Sequence, residues 1–200
     1  TLVVKTSPML DISVALKALK SVAEIHIVAL QNEVKEVLWI LDKEHTKTPE
    51  VHTVNITKAG MQKFSFSWNS PAQSSLSAPL AYLYEPNAAI LKSGAFDHMC
   101  AGYGVCKLHK HSHLYTSKEL IDFPGRRFKI EKIVPYSKKQ MRSSIDFDKA
   151  NINIRNFPES VAKLQEKWKL QQGGNKYLFF TTIENDKKIV LICSKILDEI

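Results

Sequence analysis

Ten lysines and arginines fall between positions 107 and 142 (107, 110, 118, 126, 127, 129, 132, 138, 139 and 142), against three acids at 119, 122 and 131. Cations at this density form an electrostatic footprint for a polyphosphate chain. Arg126, Arg127 and Lys129 open one predicted strand, and Lys138, Lys139 and Arg142 lie on the helix predicted after it. Lys138 and Arg142 are four residues apart and share a helix face, so they can follow a backbone together, and Arg155 closes the next predicted strand. Phosphate contacts of this kind give affinity and register with little sequence discrimination. His113 and Tyr115 add an imidazole and a phenol on which bases could stack. The alternative reading of the stripe is the solvated face of an ordinary basic domain.

A second group sits near the start of the chain. Lys5, Ser7 and Asp11 fall where a predicted strand passes into a helix, a place where backbone N–H groups and a cation can meet a phosphate or a substrate edge. Asn32, Glu33 and Lys35 follow the next predicted strand in the same manner. The structural reading of both groups is a capped helix with acids balancing its dipole. His109, His111 and His113 would share one face of a strand, but their spacing fits no common zinc pair and lacks cysteine partners. They are read as surface or hydrogen-bonded histidines, with no metal expected. A triad from Ser112, a histidine and Asp122 has no strained nucleophile turn to present the serine. Tyr84-Glu85-Pro86-Asn87 has the wrong residue order for an amine-holding motif, so Pro86 is read as initiating a helix.

The elements that must position these residues alternate. Strand Thr1–Lys5 leads to a helix with Ser7 as cap and Ile12, Leu16, Leu19 and Val22 on one face. Strand Glu24–Leu30 is followed by a helix predicted from Asn32, with Val34, Val37, Leu38 and Leu41 buried. Val51–Ile56 and Lys63–Trp68 flank a hairpin turn at Gly60 that would close a sheet edge. Residues 69–79, rich in Ser, Ala and Pro without periodicity, read as a linker. A helix from Glu85 to Met99 ending at Gly102 and Gly104, a strand Val105–Leu108 and a helical turn at Thr116-Ser117 come next. The pattern then becomes strand 128–134, helix 137–145, strand 149–154, helix 158–170 with Gly173-Gly174 as its stop, and strands 177–183 and 188–195. That order makes a small α+β layer with both helices on one face.

The 200 residues carry a net charge of +8, with +1 in residues 1–80 and +7 in residues 81–200. No apolar run approaches the roughly 20 residues that a membrane span needs, so a cytoplasmic protein with no membrane partner is expected. Three cysteines match neither a disulfide framework nor a zinc site and are read as reduced.

Several segments together resemble one family. Lys5-Thr-Ser-Pro-Met-Leu-Asp11, Glu24-Ile-His-Ile-Val-Ala, Asn32-Glu-Val-Lys-Glu-Val-Leu, Tyr84-Glu-Pro-Asn-Ala-Ala-Ile-Leu-Lys-Ser-Gly-Ala-Phe96, Leu108-His-x-x-Ser-His-Leu-Tyr-Thr-Ser117, Phe123-Pro-Gly-Arg126 and Asn156-Phe-Pro158 are similar to bacterial class I S-adenosylmethionine-dependent methyltransferases with a C-terminal THUMP-like domain. The resemblance covers only the back part of such enzymes. It implies a fold that is α/β and α+β: the C-terminal half of a Rossmann-like methyltransferase sheet in residues 1–68, a linker at 69–79, a ferredoxin-like segment at 80–126 and a THUMP-like α+β domain at 127–200. It also implies that Thr1–Lys5, Glu24–Leu30 and Val51–Ile56 are the fifth, sixth and seventh strands of that sheet.

The family binds S-adenosylmethionine through a Gly-rich turn in its first half. Gly102-Tyr-Gly104 is no counterpart, so the cofactor is expected in a longer parent protein and not on this chain. The function implied is the C-terminal portion of an RNA methyltransferase, with the basic domain binding RNA. The alternatives are a non-catalytic nucleic-acid-binding or interaction domain, and a protein or small-molecule methyltransferase. An isolated half-sheet also has an edge through which it could form a homodimer.

Overall fold

The computed structural model of the chain describes residues 1–197. They divide into two units, Thr1–Gln73 with Pro86–Met99, and Ser74–Glu85 with Cys100–Leu197. No helix among the described residues is long and apolar enough to cross a membrane.

The first unit is a five-stranded mixed sheet. Its strands are β1 (Leu2–Thr6), β2 (Val22–Leu30), β3 (Glu33–Leu41), β4 (Glu50–Thr57) and β5 (Gly60–Ser67), ordered β1-β3-β2-β4-β5. β3 is antiparallel to both β1 and β2, and β2 is parallel to β4. Helices α1 (Ile12–Ala18) and α2 (Ala88–Ser93) cover one face, over a core of Ile25, Ile27, Val37, Trp39 and Val51 with Ile12, Ala15 and Ala89. The alternate residues of the strands are only half-buried, so this sheet has one sealed and one open face.

Two sequence expectations are corrected here. Residues 32–41 form a strand, not a helix, because Gln31 and Asn32 both have positive φ (50° and 65°) and join β2 to β3 as a two-residue hairpin. The strand after β2 is therefore Glu33–Leu41, and Val51–Ile56 lies within the next one. In α1 the cap is Asp11, whose carboxylate accepts from Val14 N at 3.0 Å, while Ser7 belongs to a turn before it.

A buried amide network fixes α2 to this sheet. Asn87 caps α2 and donates to Gln62 Oε1, which also accepts from Asn55 Nδ2. Asn55 Oδ1 accepts from Asn32 N, and Asn32 Oδ1 accepts from Ala88 N. Asn55 and Asn87 are almost fully buried, so each amide needs these partners. Gly94, left-handed at φ 76°, ends α2 well before the helix end expected at 102–104, and α3 (His98–Tyr103) follows as a separate turn of helix.

The second unit holds a seven-stranded sheet ordered β10-β11-β12-β9-β6-β8-β7. Its strands are β6 (Tyr82–Pro86), β7 (Cys106–Lys107), β8 (Tyr115–Ser117), β9 (Gly125–Pro135), β10 (Asn151–Arg155), β11 (Lys176–Ile183) and β12 (Lys187–Ile196). Thr116-Ser117 is thus strand, not a helical turn. Helices α4 (Lys138–Ser144) and α5 (Val161–Trp168) follow β9 and β10 and pack on one face, over Val134, Ile152, Leu178, Phe180 and Val190. The opposite face buries Leu83, Leu108, Leu114, Phe128, Phe179 and Leu191. β11 is sealed on both faces, which is why its sequence Tyr-Leu-Phe-Phe is continuously apolar. α5 ends at Lys169, left-handed at φ 54°, ahead of the expected stop at Gly173-Gly174.

Across this unit Glu85 of β6, 3% exposed, is gripped by two guanidinium groups. Arg126 Nε of β9 donates to its Oε2 at 2.6 Å, and Arg155 of β10 pairs with its Oε1. Arg126 Nη2 also donates to Asn153 Oδ1 at 2.9 Å. Glu85→Ala would strand two half-buried guanidinium groups. It should destabilise the protein by about 3 kcal/mol, read from the urea midpoint at unchanged denaturant slope.

Candidate nucleic-acid interface

The cations of the basic stripe separate into two sets. α4 is capped by the Ser137 hydroxyl and buries Met141 and Ser144, which leaves Lys138, Lys139 and Arg142 exposed. No carboxylate lies within ion-pair range of these three among the described residues. Lys129 is exposed on β9. Arg126 and Arg155, by contrast, are held by Glu85, and Arg127 is largely covered with Asp122 at 3.9 Å. Tyr115 is fully buried, with its ring 5.9 Å from that of Phe123, so it offers no stacking surface.

The histidine run forms a turn rather than a strand. His109 Nδ1 accepts from His111 N at 3.1 Å and faces Asn156 Nδ2 at 3.0 Å, and His113 is left-handed at φ 50°. Ser112 is fully buried and donates to His109 O, so no nucleophile is presented there.

Near the amino-terminal group, Lys5 pairs with Glu36 at 3.1 Å and Lys35 with Glu33 at 2.7 Å, all well exposed. Lys5 lies near the end of β1 with Ser7 just after it, and Asn32, Glu33 and Lys35 lie in the turn after β2 and the start of β3. Ser7, Asp11 and Asn32, however, use their side chains to hold backbone N–H groups.

Sequence reasoning missed what completes the α4 cations. Tyr136, at the end of β9, and Lys167 and Trp168, in the last turn of α5, join Ser137, Lys138 and Arg142 around a groove of about 520 Å³. The Tyr136 ring stands edge-on to Phe157, Phe180 and Trp168, which fixes its position. Lys167 Nζ lies 5.0 Å from the Tyr136 ring centroid and donates to its hydroxyl at 2.8 Å. It also pairs with Glu159 at 2.9 Å, while the Tyr136 hydroxyl donates to Glu159 at 2.5 Å. Trp168 Nε1 is buried and has no acceptor.

The groove therefore offers two unpaired cations on one wall, a third shared with a carboxylate, and the edges of two aromatic rings. A phosphodiester suits the first feature and a base suits the last.

Proton affinities follow from the same contacts. The hydrogen bond from Tyr136, reinforced by Lys167, holds the Glu159 carboxyl below its usual value. The hydrogen bonds to Tyr136 and Glu159 raise Lys167. Burial, together with the bond to Glu159, raises the Tyr136 phenol. Cys193, buried in the core, has its thiol pushed well up and is unreactive, and all three cysteines are free.

Residues 82–124 match a ferredoxin-like domain family, and residues 125–195 match a family described as THUMP domain-like. The C-terminal region is THUMP-like. Its groove, between α4 and α5, lies wholly within the matched residues. The structure is also similar to the crystal structure of a "putative methyltransferase" from Porphyromonas gingivalis W83, at 36% sequence identity and a TM-score of 0.88. The similarity covers 98% of this chain and 51% of that one, so the chain spans about half the length of the protein it matches. No curated protein matches the chain.

Glu159→Gln should weaken the THUMP-like region by about 1 kcal/mol at neutral pH, since the pairs are half-exposed. A carboxyl lowered on folding contributes stability that is fully present above its unfolded value, 4.5, and lost as pH falls through its folded one. The difference between wild type and Glu159→Gln in urea unfolding should therefore shrink toward zero on the acid side of that value.

Proposed function

We propose that this chain is the substrate-presenting C-terminal part of an S-adenosylmethionine-dependent methyltransferase that acts on RNA. The observation that carries the reading is the match of nearly the whole chain to a protein described as a methyltransferase, combined with a THUMP-like region that bears an unpaired cationic groove. The resemblance of the sequence to THUMP-bearing methyltransferases points to RNA as the polyanion. β1 and β2 run parallel across β3 and are joined by α1, the crossover form of a doubly wound sheet, which supports reading the first unit as the end of a Rossmann-like sheet.

The residues of this chain do not fit the cofactor. Gly102 lies in α3 and Gly104 is left-handed directly after it, so they form no strand-to-helix turn, and the segment from Lys5 to Asp11 contains no glycine. S-adenosylmethionine, held by the longer protein, would supply an electrophilic methyl group. The part played here is capture: Lys138 and Arg142 hold phosphates, and the Tyr136 and Trp168 side chains that line the groove orient a nucleotide. Transfer of a methyl group needs proximity more than strong acid or base groups. In a longer protein of that kind the outer edge of β1, where Leu2 and Val3 are 60% and 59% exposed, would be covered by the next strand of the sheet, so it does not by itself favour a self-associating interaction module.

The test offers the gene-length protein labelled S-adenosylmethionine with total RNA, or with RNA-free total protein. Label should enter RNA, and Lys138→Glu with Arg142→Glu should cut that labelling about tenfold, roughly 1.4 kcal/mol of lost binding. Label in protein would overturn the RNA assignment, and label in neither would favour the interaction module. For this chain binding single-stranded RNA, the double substitution should flatten the slope of log affinity against log salt by about 1.4, roughly 0.7 per phosphate contact.

A further inference from the structure

The open face of the first sheet carries a constellation that the RNA-binding reading does not use. Glu24 and His26 lie two apart on β2 and share that face, and His52 stands directly opposite His26 on the parallel strand β4. His26 Nε2 is 2.7 Å from Glu24 Oε2, and His52 Nε2 is 3.9 Å from the same oxygen. The two imidazole rings lie 4.8 Å apart at 30°. One donor atom from each of the three residues falls within 4.8 Å of the other two. Bond lengths of roughly 2.0–2.1 Å around a tetrahedral zinc ion put its donors about 3.3 Å apart, so side-chain torsions alone can close the set.

Supporting hydrogen bonds are already in place. His52 Nδ1 lies 2.9 Å from the hydroxyl of Ser65, its register partner on β5. A hydrogen bond from Nδ1–H to that oxygen leaves the Nε2 lone pair directed at Glu24. Glu50, the register partner of Glu24, bonds the Ser67 hydroxyl and adds negative charge to the same face. Solvent reaches the three donors, whose side chains are 36% to 45% exposed, so an ion can enter and keep open positions for water or a ligand.

We propose that Glu24, His26 and His52 form a binding site for a first-row divalent transition ion, of which Zn²⁺ is the probe of choice. Two imidazoles and one carboxylate suit such an ion and not Mg²⁺ or Ca²⁺, which take oxygen donors. On binding, the ion takes the place of the hydrogen bond between His26 Nε2 and Glu24, and the neutral imidazole carries its one proton on Nδ1. The ion would also brace β2 against β4.

The test is a titration of the 200-residue chain with Zn²⁺, followed through the imidazole nitrogen resonances. The Nε2 signals of His26 and His52 should shift together and saturate at one equivalent, and the melting temperature should rise. His26→Ala with His52→Ala should weaken binding at least about tenfold and remove the thermal shift. The same double variant must melt cooperatively without metal for its result to count; if it does not, the wild-type resonances decide. Shifts led by His109 or His111, no shift at all, or undiminished affinity in a folded double variant would each overturn the site. None of these outcomes depends on RNA binding, so failure here leaves the methyltransferase reading to its own test.

Discussion

The Glu85 carboxylate is the constraint on which the C-terminal unit turns. A charge this deeply buried must be paired, and a single guanidinium would leave one of its oxygens bare. Arg126 and Arg155 take one oxygen each. β6 and β10 stand four positions apart in the strand order, so Arg155 reaches Glu85 only if the sheet curls strongly between them. The further bond from Arg126 to Asn153 of β10 closes the same gap. The Arg-Glu-Arg clamp therefore ties β6, β9 and β10 together on the face opposite α4 and α5.

That clamp also decides which cations meet solvent. Arg126 and Arg155 satisfy an internal charge, and the outward field falls to α4 and the end of α5. α4 turns Met141 and Ser144 inward and α5 turns Leu164 inward, so Lys138, Arg142 and Lys167 are brought to the rim of one groove by the burial of their neighbours. Glu159 holds Lys167 against Tyr136 and gives the groove a rigid wall, while Lys138 and Arg142 remain unpaired. Fixed aromatic rings beside unpaired cations are the features on which the RNA-binding proposal rests.

The order of elements from 125 to 196 was legible because each element carried its own signal. β10 alternates, β11 is continuously apolar and Ser137 caps α4, whereas α5 starts after the expected 158, with Ser160 as its cap. Residues 32–41 misled because Val34, Val37, Leu38 and Leu41 satisfy helical spacing, while Val37, Trp39 and Leu41 equally satisfy a strand. What decides between them is the pair of left-handed residues at 31 and 32, neither of them glycine. The basic stripe was visible in composition, but the loss of Arg126 and Arg155 to Glu85 was not, since burial of an acid has no local signature. Tyr136, Lys167 and Trp168 were missed because the groove is assembled by the packing of α5 beside α4. Glu24 and His26 are adjacent on one strand face, yet His52 joins them only through the parallel register of β2 and β4, which no short window of sequence encodes.

Residues 69–79 divide the sequence more cleanly than they divide the structure. Pro86–Met99 lies inside the ferredoxin-like match yet belongs to the first unit, where Ala89 enters the core and Asn87 closes the amide network with Gln62, Asn55 and Asn32. A first unit cut at residue 79 would lose α2, open its core at Ala89 and remove the Asn87 amide that donates to Gln62. Asn32, at the tip of the β2–β3 hairpin, would lose the helix N–H it accepts from. The chain thus passes from one unit to the other and back before completing either, an interleaving that a linear domain map does not contain.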